Sequence, residues 1–326
     1  MRVLIYGGGA VGLGIASCLI RSGNRVDIIA RAETTAALRR AGLLRSGIFG
    51  RFHARPEAFG AHDSLEQVTG GPYDFVLVCT KSFDSASAAQ DLAAHEDRIG
   101  GQARLVLLQN GWGNTEAFCA CFEKHRIFNG RVITGFRRPR PNEVEITVHA
   151  DAIHIGSLFH ADLAPVAGLC EAIAAGGIPC TKTAAIEQDL WAKMLYNCAL
   201  NPLGALLGVP YGTLAEQPTT RGLMDRIVEE VFAVMRAAGY ATHWQAPEQF
   251  LAAFYGRLVP DTAEHKSSML QDITAGKRTE IDALTGAVIA LAAQHGLDVP
   301  YNHTLYQLIR FIENRHHGGP QAATRS

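Results

Sequence analysis

Two textures of apolar and polar positions divide this chain. In the first half, short apolar runs at residues 3–6, 26–30, 74–80 and 105–108 are too brief for helices and suit strands buried on both faces. Stretches with apolar residues at helical spacing, 10–20, 35–41 and 115–124, lie between them, which is the alternation of a parallel sheet with crossover helices. Further strands are expected at 49–54, 131–134, 144–149 and 152–156, the last two forming an antiparallel extension of the sheet, and a short one at 178–181. From about residue 163 the pattern turns helical, with helices expected at 163–175, 186–207, 221–238, 246–255 and 279–295. The fold class is therefore α/β, with a doubly wound N-terminal sheet domain at 1–183 and a second, all-helical C-terminal domain at 184–326. A chain of 326 residues fits two domains better than one. Residues beyond Arg315, including the pair His316-His317, read as a disordered, frayed tail.

The first strand ends in a glycine-rich turn, Gly7, Gly8, Gly9, Ala10, Val11 and Gly12, which opens the first helix. In a G-x-G-x-x-G run the glycines permit a tight turn, close approach of backbone amides to a pyrophosphate, and contact of helix with sheet. Such turns also form for packing reasons alone, but the position between a strand and a helix is the context that marks a dinucleotide site. The residue closing the second strand refines this. NAD-binding chains place an acidic residue there for the ribose 2′-hydroxyl, whereas this chain has Arg31, and guanidinium pairs with phosphate, so NADP(H) is the expected cofactor. Glu33 and Asp27 are not well placed to reverse that preference.

Composition excludes several classes. With 30 basic and 31 acidic residues the chain lacks the basic excess of a nucleic-acid binder. The dense basic run Arg137-Arg138-Pro139-Arg140 reads as a solvated loop tip. Seven cysteines, an odd number without a C-x-x-C, read as mostly reduced core residues of a cytoplasmic protein. Thirteen scattered histidines form no H-E-x-x-H and no Cys/His knuckle, so no metal site is expected. A strand beginning at residue 2 leaves no room for a signal peptide, and no apolar run is long enough for a bilayer.

Candidate chemistry sits at strand ends and on one helix. Lys81 follows the 74–80 strand, and Asn110 follows the 105–108 strand, both at carboxyl ends, where open α/β sheets bind ligands. Asn110-Gly111 also favours a turn on its own account. On the 186–207 helix, Lys193, Asn197 and Asn201 are spaced i, i+4, i+8 and make a polar stripe amid apolar neighbours. A cation and two amides in such surroundings need partners, which points to a site more than to a solvated face. Thr279 with Asp282 has capping-box spacing, and Glu280 in a first helical turn would suit the dipole, a structural role that also holds a carboxylate rigidly.

Together these stretches resemble the ketopantoate reductase (2-dehydropantoate 2-reductase) family over nearly the whole chain. The matching pieces are the glycine turn with Arg31, Lys81 in KSFD, Asn110 in QNG, W-x-K-x-x-x-N-x-x-x-N-P at 191–202, and SSMLQD followed by TEID. The resemblance implies a Rossmann N-terminal domain, a helical C-terminal domain, and a cleft where NADPH reduces a 2-oxo acid. It implies Lys193 as proton donor and Asn110, Asn197, Asn201 and Ser268 around the substrate. An unperturbed lysine is a sluggish acid, so a dry site is expected to lower its pKa. Lys81, Asn110 and Glu280 would lie near the cofactor, and Phe136 where the backbone closes over the nicotinamide. Two departures bear on specificity. Tyr211 stands in Pro210-Tyr211-Gly212 where many members carry asparagine, so Tyr211 is a further candidate for the substrate, and the RRPRP segment replaces a turn of small residues.

Other readings stay open. One is a reductase of a different 2-oxo acid, a D-2-hydroxyacid dehydrogenase on the same scaffold. A K-x-x-x-N helix also occurs in 3-hydroxyacid dehydrogenases, which usually carry glycines ahead of the lysine, and 186–191 has none. A third is a non-catalytic NADP(H) sensor, against which the joint presence of Lys193, the two asparagines, Ser268 and Glu280 argues. The partner expected is a small 2-oxo acid, with no nucleic acid and no membrane. The sequence is silent on oligomeric state and leaves a homodimer open.

Overall fold

A computed structural model describes residues 1–317. Two compact units divide the chain, Met1–Ile186 and a second from Glu187 onward. In the first unit, β1 (Arg2–Tyr6), α1 (Ala10–Arg21) and β2 (Arg25–Ile29) form the opening βαβ, followed by α2 (Ala32–Ala41), β3 (Leu43–Gly47), β4 (Phe52–Ala54) and β5 (Gly60–His62). Next come β6 (Phe75–Val78), α3 (Ser85–Ala94), α4 (Glu96–Ile99), β7 (Arg104–Leu107), α5 (Asn114–Cys119) and β8 (Ile127–Arg131). The unit closes with β9 (Thr134–Arg137), β10 (Glu143–His149), β11 (Ile153–Gly156), α6 (Ala164–Ala175) and β12 (Cys180–Lys182).

The main sheet has the order β12-β11-β8-β7-β6-β1-β2-β5. The strands from β8 to β5 run parallel, and β11 is antiparallel to β8. Burial on both faces explains the uninterrupted apolar runs: Val3, Leu4 and Ile5 in β1 and Val76 and Leu77 in β6 are fully buried. The order reverses at β1, where the chain crosses from one side of the sheet to the other, and this is the point at which open α/β sheets bind ligands.

A second, four-stranded sheet, β4-β3-β10-β9, corrects the expectation that 144–149 extends the main sheet. It packs over the outer side of α1, with the Phe136 ring against Gly14 and the Arg45 guanidinium against Cys18. A helix held between two sheets has no wet face, so α1 is buried from Gly12 through Leu19. Of the strand expected at 49–54 only β4 forms, β3 lies outside any expected strand, and the strand expected at 131–134 falls across the junction of β8 and β9. The seven cysteines are all free; Cys18, Cys170 and Cys198 are buried, whereas Cys121 is exposed.

The second unit is helical: α7 (Ile186–Leu207), α8 (Tyr211–Glu216), α9 (Pro218–Ala237), α10 (Pro247–Ala253), α11 (Ser268–Thr274), α12 (Thr285–Gln294) and α13 (Pro300–His317). The helix expected at 279–295 begins only at Thr285. The capping box is not made: Thr279 Oγ1 accepts from the Ile281 amide at 3.2 Å, two residues on, and the Thr279 amide donates to Glu313 Oε1 at 2.6 Å. Residues 279–284 therefore form a turn tied to α13. That helix continues through His316 and His317, where the sequence suggests a frayed tail; residues 318–326 lie outside the described range. Among the described residues no helix is long and apolar enough to cross a membrane, and no group of three or more His, Cys, Asp or Glu side chains could hold a metal ion.

Candidate active site

In the first unit the glycine turn joins β1 to α1 in a tight bend. The amides of Gly7 and Gly8 both donate to Ile29 O, at 3.1 and 2.8 Å, which pins the turn to the end of β2. Gly7 has φ +116°, and a side-chain carbon there would lie 2.8 Å from the backbone of Cys79 and Thr80. A Cβ at Gly12 would stand 2.1 Å from Gly7 O, so the helix meets the turn only because both positions lack side chains. Gly9 caps α1, and the amides of Ala10, Val11 and Gly12 belong to the first turn, whose donors have no acceptor inside a helix. Such a row of donors at a helix start fits a pyrophosphate.

Arg31 closes β2 as the exposed N-cap residue of α2. Asp27 is committed elsewhere: His62 Nε2 lies 3.0 Å from one of its carboxylate oxygens and the Tyr73 hydroxyl donates to the other at 2.8 Å. The acidic group of this strand is thus held by His62 and Tyr73 within the unit. The basic run at the end of β9 is exposed throughout, as expected of a loop tip, and each of its arginines has a partner. Arg137 pairs with Glu145 and Arg140 with Glu143, while Arg138 reaches back across the chain to donate to Gly8 O at 3.1 Å.

At the carboxyl ends of β6 and β7 a buried polar chain holds two loops together. Gln109 Nε2 donates to Ser85 Oγ at 2.9 Å, whose hydroxyl donates to Asn114 Oδ1 at 2.9 Å, and Asn114 Nδ2 donates to Asn110 O at 2.9 Å. Gln109 also reaches Thr80 Oγ1 and Lys81 O. The loops of Lys81 and Asn110 are therefore fixed to one another, and both residues are half-buried. Ser85 and Asn114 carry this arrangement without a sequence signal beyond being polar residues at helix starts. Phe136, placed on β9, has its ring committed to Gly14.

In the second unit α7 carries the polar stripe. Lys193 is half-buried, Asn197 and Asn201 are buried, and Trp191 is sealed in the core, stacked on Tyr240 at 5.4 Å. Pro202 inside the helix removes the amide that would bond the Cys198 carbonyl, loosening the ladder beside Asn201. Asn201 is held from two sides: the Tyr211 hydroxyl donates to its Oδ1 at 2.6 Å, and Ser267 Oγ lies 3.4 Å from its carbonyl oxygen. Burial pushes the Tyr211 phenol well up, so it stays neutral and remains a donor. With Oδ1 occupied, Asn201 presents its Nδ2 donors. Tyr211, 3 % exposed, is placed to aim that amide instead of meeting a solute through its own hydroxyl. Ser267, fully buried, caps α11 by accepting from the Leu270 amide at 3.0 Å, and Ser268 beside it is exposed. Glu280 lies buried in the 279–284 turn, away from the stripe in sequence and on a different element.

The two halves of the chain match successive family models. Residues 3–159 match the model described as ketopantoate reductase PanE/ApbA, and residues 185–313 match its C-terminal partner, ketopantoate reductase PanE/ApbA C terminal. The chain belongs to the ketopantoate reductase family. It is accordingly an oxidoreductase with the α/β architecture and helical C-terminal region of that family. A 2-dehydropantoate 2-reductase of Aquifex aeolicus (strain VF5) is 32% identical over 314 residues, covering 96% of this chain and 97% of the relative. A crystal structure of a PanE/ApbA family ketopantoate reductase from Ralstonia eutropha JMP134 has a TM-score of 0.84 at 30% identity, covering 97% of this chain and 100% of that one. A ternary structure of D-mandelate dehydrogenase with NADH and anilino(oxo)acetate has a TM-score of 0.87 at 22% identity, with 97% and 100% covered, and shares the fold.

Proposed function

We propose that this protein reduces 2-dehydropantoate to pantoate with NADPH, in pantothenate and coenzyme A biosynthesis in the cytoplasm. The observation that carries the reading is the stripe on α7: a half-buried ammonium, Lys193, one turn from buried Asn197 and two turns from buried Asn201. NADPH, when bound, supplies the hydride that reduces the keto carbon. In the turn Gly7, Gly8, Gly9, Ala10, Val11 and Gly12, the first two glycines are pinned to Ile29 and shape the bend, while the backbone amides that open α1 bind the pyrophosphate; Arg31 pairs with the 2′-phosphate, and Lys81, Asn110, Phe136 and Glu280 complete the cofactor's surroundings.

Lys193 has two tasks. Its positive charge meets the negative charge that gathers on the substrate's keto oxygen as the carbon is reduced, and its Nζ then gives that oxygen a proton. Asn197 and Asn201 orient the substrate's oxygens. Because Tyr211 engages Asn201 Oδ1 from one side, the Nδ2 donors of Asn201 are turned toward an acceptor, the carboxylate or keto oxygen of a 2-oxo acid. Asn110 and Ser268 add further polar contacts. Water exclusion by the buried apolar flank of α7, including Met194 and Leu195, strengthens each of these interactions.

A second reading, reduction of a different 2-oxo acid, is favoured by Tyr211, a bulkier residue than the asparagine many family members carry there. Steady-state NADPH oxidation against a panel of 2-oxo acids decides between them. The account expects 2-dehydropantoate to give the highest kcat/KM; a larger value for a 2-oxo acid without its hydroxymethyl group supports the second reading, and no turnover with any member refutes both.

A further inference from the structure

The β9–β10 hairpin carries Arg137 at the end of its first strand and Arg138 and Arg140 in its turn, and the fold treats them unequally. Arg137 stands opposite Glu145 in the hairpin register and donates to its carboxylate. Arg140 Nη1 lies 3.3 Å from Glu143 Oε1. Both are thereby neutralised within the hairpin. Among the described residues Arg138 has no carboxylate within ion-pair distance. Its Nη1 instead donates to Gly8 O at 3.1 Å and stands 3.4 Å from Thr34 Oγ1, contacts that span 130 and 104 positions of the chain.

These two neighbours locate the guanidinium. Gly8 is inside the phosphate-binding turn, and Thr34 is in the first turn of α2, three positions after Arg31, its N-cap residue. Arg138 therefore bridges the two segments that flank the carboxyl end of β2. In a βαβ dinucleotide fold the ribose nearest the adenine lies there, and its 2′ position is what the end of the second strand reads. Both contacts use Nη1, so the donors on Nη2 and Nε remain for a ligand. A 2′-phosphate carries nearly two negative charges, and one guanidinium leaves about one of them uncompensated. An arginine already anchored to a backbone carbonyl has lost much of its side-chain freedom before any ligand arrives, which favours binding.

We propose that Arg138 is a second cationic anchor for the cofactor's 2′-phosphate, acting with Arg31 to set the preference for NADP(H) over NAD(H). The inference rests on the NADP(H) reading above and adds a residue from a distant hairpin to it.

Calorimetric titration of the full chain with 2′,5′-ADP and with ADP, which differ in the 2′-phosphate, tests this without turnover. The wild-type protein is expected to bind 2′,5′-ADP more tightly than ADP. Arg138→Gln should weaken 2′,5′-ADP by about 10- to 100-fold, the range for a lost charge-assisted hydrogen bond, and leave ADP within about twofold. Arg138→Lys, which restores the charge without the fork, should recover part of the loss. Equal weakening of both ligands would make Arg138 a brace of the glycine turn and overturn the inference, as would unchanged binding of 2′,5′-ADP. If the wild-type preference exists and only Arg31→Gln removes it, the NADP(H) reading stands and the inference fails. If the wild type shows no preference, both fail.

Discussion

Replacing Tyr211 with phenylalanine removes one oxygen from a buried contact and leaves the ring in place against His265 and Tyr196, 5.3 and 5.7 Å away between centroids. The partner left behind is Asn201 Oδ1, in a residue 5 % exposed, so water cannot readily replace the lost donor. An orphaned buried acceptor costs about 1–3 kcal/mol, and with ring packing retained we expect a loss of about 2 kcal/mol in the stability of the second unit. The freed amide can also rotate, so that its donors no longer point one way. Its misaligned donor should lower kcat/KM for the 2-oxo acid by about tenfold, the equivalent of about 1.4 kcal/mol. Urea denaturation measures the first effect and steady-state kinetics the second. A double-mutant cycle with Asn201→Ala separates the pair from its surroundings, and a coupling above about 0.5 kcal/mol is expected for residues in contact. Stability and kcat/KM both indistinguishable from wild type, with zero coupling, would refute the assignment of Tyr211 as the residue that aims Asn201.

Two further outcomes are expected. Gly7→Ala puts a side chain at φ +116° and 2.8 Å from the Cys79 and Thr80 backbone, so it should cost at least about 1–3 kcal/mol and abolish dinucleotide binding; calorimetry showing wild-type affinity would contradict this role of the turn. Burial pushes the Asp27 carboxyl up, but hydrogen bonds from His62 and Tyr73, with the charges of His62 and Arg2, outweigh it and hold the group below the usual carboxylate range. Because the folded-state value is the lower one, the stabilisation is fully present above the usual Asp pKa of about 3.9 and is lost as pH falls through the depressed value. In urea titrations the stability advantage of the wild type over Asp27→Asn should shrink as pH falls below about 4, and an advantage that stayed constant would show that Asp27 is not held in this way.

Most of the parallel sheet was legible because a strand buried on both faces leaves an unmistakable trace, as in Val3, Leu4 and Ile5, and because each helix between strands kept its period. The four-stranded sheet was not, since β4 is only three residues long and β3 contains Arg45, a fully buried arginine whose charge disguises a core position. β8 was misplaced for a related reason. Its Asn129-Gly130 pair looks like a turn, yet Asn129 Nδ2 is satisfied by Thr115 Oγ1 at 2.8 Å, and a side chain at Gly130 would strike Leu108 at 2.3 Å. Spacing alone placed Lys193, Asn197 and Asn201 on one face of α7. What spacing could not supply was the support: Tyr211 behind Asn201, and Gln109, Ser85 and Asn114 beneath Asn110, are joined by hydrogen bonds between segments that fold back from elsewhere in the chain. The Arg138 contact belongs to the same class, because nothing near it in sequence marks Gly8 as its partner.

The most direct test of the account is Lys193→Ala, measured by two numbers on the same preparation: kcat for 2-dehydropantoate with NADPH, and the Kd for NADPH from fluorescence titration. The account predicts a fall in kcat of about 10²- to 10⁴-fold, the scale of a lost general acid, with the Kd within about twofold of wild type. Near-normal turnover in the variant would contradict it.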